Sequence, residues 1–196
     1  MIDFIEGDLA EKNPAYVVLN CNGIGYLVHI SLNTYSKLPD SGKVKLHTNL
    51  IIREDAHTLF GFAKNEEKTL FRHLISVSGV GPNTARMILS SLTVEEVHNA
   101  IVSNNVGLLQ AVKGIGGKSA QRIVVDLKDK LEKEGVLTEE NLITSNNTLR
   151  EEALSALVML GYNKAAAQKT ISQILKKNNN ADMSVEQLIK EALKYS

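Results

Sequence analysis

The chain has 196 residues, 22 Lys+Arg against 22 Asp+Glu, and 43% hydrophobic residues. That is the composition of one ordinary folded domain or several small ones, and it excludes wholesale disorder, collagen-like repeats and a disulfide scaffold. With no Trp and 5% aromatics a surface built on base stacking is not expected, and zero net charge does not by itself announce a nucleic-acid binder.

The first sixty residues read as strands. Met1–Ile5, Ala15–Asn20, Ile24–Ile30, Val44–Ile52 and His57–Phe62 are rich in Val, Ile, Leu and aromatics, with Gly, Asn and Pro between them. Ser31–Leu38, polar enough for a short helix or loop, separates the third from the fourth. Five short strands with one such interruption predict a small Greek-key barrel of the OB-fold type over residues 1–64. Asp3, Glu6 and Asp8 argue against a signal peptide, and no apolar run approaches the ~20 residues of a membrane span. Cys21, the single cysteine, allows no intrachain disulfide, so a cytoplasmic, reducing home is expected.

At Asn65 the period becomes helical. Asn65 is expected to cap a helix whose first turn holds Glu66 and Glu67, where the dipole favours acids. Leu70, Phe71, Leu74, Ile75 and Val77 follow at helical spacing. Thr93 and Glu96 form a capping box, and Asn105 caps a further short helix. Residues 134–148 lack apolar periodicity and read as a linker. Leu149–Leu160, Lys164–Leu175 and Val185–Tyr195 then predict a three-helix module over residues 149–196, with Ser184 and Gln187 as another capping box.

An internal repeat carries the strongest signal. Gly79-Val80-Gly81-Pro82-Asn83-Thr84-Ala85 returns 35 residues later as Gly114-Ile115-Gly116-Gly117-Lys118-Ser119-Ala120. Each copy follows one apolar helical stretch and precedes another. The glycines permit a sharp reversal through positive φ, the apolar residue between them can tuck inward, and the small Ala lets two helices pack closely. Such a turn leaves backbone amides unpaired at a helix N-terminus, where they suit an anion. Pro82 at the first helical position fits, since its missing N–H is not needed there. Arg86, Lys118 and Arg122 can add charge-assisted contacts. A dinucleotide fingerprint does not fit, because helices rather than strands precede the turns. Residues 65–133 therefore predict a tandem helix-hairpin-helix domain gripping nucleic-acid phosphates without reading sequence.

Arg53-Glu54-Asp55-Ala56 lies at the tip between the last two strands. Two adjacent acids are ordinary in a solvated turn, yet in a phosphate binder they can also act as a wedge that repels strands. The segment 65–133 holds 9 basic and 7 acidic side chains, while 1–64 holds 6 and 7 and 134–196 holds 7 and 8. The zero total thus hides a mildly basic centre.

In combination, the barrel with its Arg-Glu-Asp-Ala tip, the two hairpins, the linker and a tail containing Leu157-Val158-Met159-Leu160-Gly161-Tyr162 resemble the RuvA family over the whole chain. Gly23-Ile24-Gly25-Tyr26 and Leu59-Phe60-Gly61-Phe62 agree. RuvA proteins are the Holliday-junction-binding subunits of the bacterial RuvAB branch-migration complex. The resemblance implies a non-catalytic homotetramer, or a doubled octamer, that holds a four-way junction open in recombination, repair and the SOS response. It makes Glu54 and Asp55 an acidic pin at the crossover. It assigns the duplex arms to Gly79, Val80, Gly81, Asn83, Thr84 and Arg86 in one hairpin. In the other it assigns them to Gly114, Ile115, Gly116, Gly117, Lys118, Ser119 and Arg122. Leu157, Leu160, Gly161 and Tyr162 would dock the RuvB motor, which hydrolyses the ATP, in a UBA-like C-terminal domain. The RuvC resolvase is a further candidate partner. No cofactor or metal is implied. Asn83 and Gly117 stand where the family leads one to expect lysine, leaving Lys118 the only lysine inside either turn.

Three other readings carry their own tests. A helix-hairpin-helix glycosylase or nuclease needs a nucleophile or metal ligands near the turns. Asp126 and Asp129, beside Lys128 and Lys130, read instead as a solvated helix face, and the five histidines are scattered. A single-strand binder needs sheet aromatics, of which Phe4, Tyr16, Tyr26, Phe60 and Phe62 are the candidates, mostly needed as core. A pure protein adaptor would show no DNA affinity at low salt.

Overall fold

The computed structural model describes residues 2–134, 145–177 and 183–194. Five strands, β1 (Phe4–Asn13), β2 (Tyr16–Cys21), β3 (Ile24–Ile30), β4 (Lys43–Ile52) and β5 (His57–Phe62), close into a barrel in the order β1-β2-β3-β5-β4. All neighbours are antiparallel except β3 and β5, which run parallel. Alternation builds the barrel core from Ile5, Val17, Leu19, Val28, Ile30, Val44 and Leu46. Asn22 and Gly23 both take positive φ, 53° and 90°, as the tight turn between β2 and β3 demands.

The first strand differs from expectation. It runs to Asn13 rather than stopping at Ile5, because Ile5 and Gly7 face inward while the acids Glu6 and Asp8 alternate to the outside. The polar segment after β3 resolves as α1 (Leu32–Lys37), capped by Ser31, whose side chain accepts from the Thr34 N–H at 3.0 Å.

Five helices follow in the same compact unit, which spans Met1–Leu137: α2 (Asn65–Ser76), α3 (Pro82–Ser91), α4 (Val94–Val102), α5 (Val106–Gln110) and α6 (Gly117–Glu134). The Thr93–Glu96 capping box and the Asn105 cap form as expected. Asn65 is not the cap of α2. The chain leaves β5 in extended conformation through Lys64, which takes the cap position without a side-chain bond, and Asn65 is already helical.

Phe60 and Phe62 of β5 turn away from the barrel core into the helical core. Their rings lie 5.1 and 5.0 Å from that of Phe71. One strand therefore serves both layers, and the barrel is welded to the hairpins by apolar contact.

Polar bonds add to that weld. Adjacent residues of α2 reach different parts of the barrel. Glu67, 1% exposed, accepts from the Ser31 hydroxyl and from Thr34 Oγ1 at 2.9 Å. Lys68, 5% exposed, donates to the Asp3 carboxylate and, at 3.0 Å, to the Asp3 carbonyl. Burial raises the Glu67 pKa above its ordinary value, and the two hydroxyl donors offset part of that rise. Asp3 moves the other way, held low first by its bond to Lys68 and then by that ammonium's charge.

A second compact unit, Thr138–Ser196, contains α7 (Ser145–Met159), α8 (Lys164–Lys177) and α9 (Val185–Lys194). Its core is Ala153, Leu157, Ala167, Ile171, Ile174, Leu188 and Ala192. Ser184 and Gln187 exchange the two bonds of the expected capping box, 3.0 and 3.3 Å. Helix α7 starts at Ser145, inside the stretch expected as linker. Residues 135–144 of that stretch, and Tyr195, lie outside the described residues.

Candidate nucleic-acid interface

The repeat visible in the residues is also a repeat of hydrogen bonds. In the first turn Val77 N–H donates to Leu74, Val80 N–H to Val77 and Ala85 N–H to Gly81, at 3.2, 3.0 and 2.9 Å. In the second, Val112 donates to Leu109, Ile115 to Val112 and Ala120 to Gly116, at 3.2, 3.1 and 3.0 Å. Val80 and Ile115 are buried, and Ala85 and Ala120 are wholly so. The apolar residue pins each turn to the core, and the small one admits the neighbouring helix.

The two glycines of each turn do different work. Gly79 and Gly114 take φ of +88° and +89°, a conformation a side chain strains to adopt. Gly81 and Gly116 do not, so only the first glycine of each pair uses the positive φ that both permit. Gly81 has φ −82° as the cap of α3, where extended backbone is required, and the space a Cβ would occupy is open at both residues. Among the described residues nothing therefore calls for glycine there.

Beyond each second glycine the first-turn amides have no acceptor within their own helix. Pro82 has no N–H, Ala85 and Ala120 return to the cap carbonyls, and the amides of Asn83 and Thr84, like those of Gly117, Lys118 and Ser119, sit where a helix offers no internal acceptor. Asn83 and Lys118 are exposed, and Thr84 and Ser119 are half-buried.

The arginines are partly committed. Arg86 donates from its guanidinium to the Ala15 carbonyl of the barrel at 2.8 Å, and burial lowers its pKa. Its charge, added to burial, also holds His29 below its usual value. Arg122 donates to the Ser78 carbonyl at 3.2 Å, so the second hairpin braces the turn of the first. Lys130 reaches Ser76 Oγ at 3.2 Å in the same sense. The residue reading missed Lys113, exposed immediately before Gly114 at the place Ser78 holds in the first copy. Its signal was the repeat register itself.

At the far end of β4 and β5, Arg53 N–H closes on the Ala56 carbonyl at 2.9 Å, and Glu54 and Asp55 stand exposed at the apex. Asp126 and Asp129 lie on the exposed face of α6, and no group of three or more His, Cys, Asp or Glu among the described residues could hold a metal ion. Of the barrel aromatics, Phe60 and Phe62 are core, Tyr16 and Tyr26 half-buried, and Phe4, 51% exposed, lies 4.2 Å beneath the Lys45 ammonium.

The model of the RuvA N terminal domain matches residues 1–61, a SAM-like helix-hairpin-helix tandem matches 71–129, and the RuvA C-terminal domain matches 148–196. The chain is 54% identical over 195 residues to a Holliday junction branch migration complex subunit RuvA from Christiangramia forsetii, covering 99% of each. It is 50% identical to the subunits of that name from Cytophaga hutchinsonii, over all of both chains, and from Flavobacterium psychrophilum, over 99% of each. The chain belongs to the RuvA family.

Within that RuvA framework the C-terminal candidates separate. Leu157 is 2% exposed and sits in the core of its unit, so its side chain is not at the surface to meet a partner. Gly161, at φ +95°, ends α7: its N–H donates to Val158 and that of Tyr162 to Leu157, both at 3.0 Å, which is a Schellman cap. Tyr162 then packs on the core. Leu160 is 61% exposed, next to Met159 at 86% and Val158 at 41%. Leu157, Gly161 and Tyr162 thus also serve the core and the cap, and among the described residues Val158, Met159 and Leu160 form a contiguous exposed apolar run.

Proposed function

We propose that the chain binds four-way DNA junctions without catalysing a reaction, holds them open, and hands them to an ATP-driven partner. The observation that carries this is the paired turn geometry: two hairpins with matched bonding, first-turn amides without a helical acceptor and open space at the second glycine, in one compact unit with an exposed acid pair. Amides and cations of this kind contact phosphates and not base edges, so DNA shape selects the site. Glu54 and Asp55 repel the strands at the crossover and discourage re-pairing there. Four copies around the junction would place eight hairpins on its arms; an octamer would enclose them. Val158, Met159 and Leu160 dock the RuvB motor, and RuvC approaches the junction the assembly presents. The setting is the cytoplasm, in keeping with a single free cysteine and with the finding that no described helix is long and apolar enough to cross a membrane.

Phosphate contact has a salt signature. Replacing Lys118 and Arg122 by Ala should weaken binding alike for junctions of any sequence and make the dependence of log K on log salt shallower, by about one unit per lost contact. A slope unchanged in the double variant contradicts the phosphate assignment of these two residues.

A further inference from the structure

We propose that Asn33 is a positioning residue: its carboxamide, clamped on the C-terminal carbonyls of α3, holds the first hairpin in register with the acidic tip and so sets the preference for junction over linear duplex. This rests on the reading of the hairpins as phosphate grips. Asn33 Nδ2 donates to the Leu89 carbonyl at 2.7 Å and to the Leu92 carbonyl at 2.9 Å. These are carbonyls that α3 cannot satisfy itself, since the Leu92 N–H returns to Ile88. Both partners are acceptors, so only the nitrogen of a carboxamide fits. Beside it, Leu32 N–H donates to Ser90 Oγ at 3.1 Å, and Ser90 in turn donates to the Arg86 carbonyl at 2.8 Å.

The barrel therefore grips α3 near both ends, through Asn33 at the C-terminus and through the Arg86–Ala15 bond one turn from the Gly79–Gly81 reversal. It grips α2, the other arm of that hairpin, through Glu67 and Lys68. The second hairpin's ties from Arg122 and Lys130 run to Ser78 and Ser76, beside the first turn. The first hairpin is thus the link through which the position of the tip is transmitted to both grips. A linear duplex asks only that a grip be locally intact. A junction asks that grips and tip engage together, and simultaneous engagement is lost when the geometry between sites loosens.

The test compares full-length Asn33→Asp with the unaltered chain. Asp keeps the shape but sets acceptors against carbonyl oxygens. The ratio of junction to duplex affinity should fall about tenfold, the scale of two lost neutral hydrogen bonds, while duplex affinity changes by less than about twofold. Ser36→Ala, which removes only the bond from the Ser36 hydroxyl to the Asn33 backbone carbonyl (3.0 Å) and leaves the carboxamide in place, should leave the ratio unchanged. Spin labels at Ala56→Cys and Ser78→Cys, in a Cys21→Ser background diluted with unlabelled protein, should give one narrow distance that broadens with Asn33→Asp. If Asn33→Asp lowers unfolding stability but leaves ratio and distance width unchanged, Asn33 is merely structural and the inference is overturned. Should Asn33→Asp fail to fold, Asn33→Ala removes the same two bonds without setting acceptors against the carbonyls and must broaden the distance in the same sense; an unchanged distribution overturns the inference. A native chain without preference for junctions overturns the underlying functional reading, and this inference with it.

Discussion

Gly79 and Gly81 lie two residues apart and should fail in opposite ways. Gly79→Ala forces a side chain to φ +88°, which costs about 1–2 kcal/mol of stability. Gly81→Ala meets open space at φ −82° and should leave unfolding nearly unchanged while weakening DNA binding, because its Cβ would occupy the ground that the proposed phosphate contact needs. Chemical unfolding and junction titration of both variants check this; a Gly81→Ala protein that binds normally removes the argument from open space. Glu67 offers a second residue-scale test. Its folded pKa is raised, so its favourable contribution is complete below the ordinary carboxylate value of 4.5 and is lost as pH climbs through the folded value. Glu67→Gln should therefore be free of the part of the stability loss that the native chain suffers as pH rises from 4.5 through the raised folded value, measured by urea unfolding. Equal slopes would mean that the buried carboxyl is not desolvated as described. Neither role was legible from the residue alone: Glu67 reads as a dipole-facing acid, and only the fold buries it against Ser31 and Thr34.

Among the elements, the hairpins were the most legible, because a Gly-x-Gly-x-x-x-Ala register repeated at a fixed offset has few other physical meanings. The caps at Thr93, Asn105 and Ser184 were also readable, being local chemistry. The cap of α2 and the length of β1 were not, since strand exit and acid alternation are decided by the barrel. The tail of α7 shows the same limit. Leu157, Gly161 and Tyr162 stood out by residue type, and the structure adds that they serve the core and the Schellman cap while Leu160 and its neighbours are exposed. Leu157→Ala should cost about 2–5 kcal/mol and unfold much of a module this small. Leu160→Asp should keep the helical signal and abolish coupling to the motor in a branch-migration assay. Loss of folding in Leu160→Asp, or retained coupling, contradicts the docking assignment.

Across the whole molecule, charge is the least informative quantity and its placement the most. A balanced total conceals a central segment with an excess of two positive charges and an acidic apex on the barrel fused to it. That fusion, through Phe60 and Phe62 in the helical core and through Glu67, Lys68 and Asn33 in the polar joint, makes the barrel and both hairpins one unit. It is also the part that patterning could not foresee, because every contact spans distant segments. In the function proposed above, this unit recognises a branched DNA shape with its grips and opens it with its tip. The most direct measurement is a competition between four-way junction, linear duplex and single strand at fixed salt, with 2-aminopurine at the crossover reporting unpairing and light scattering reporting the mass of the complex. A strong preference for the junction in a multi-chain complex is expected. Glu54→Gln with Asp55→Asn should retain binding while the crossover signal falls. Equal affinity for duplex and junction, or a crossover signal indifferent to the acid pair, would contradict that function.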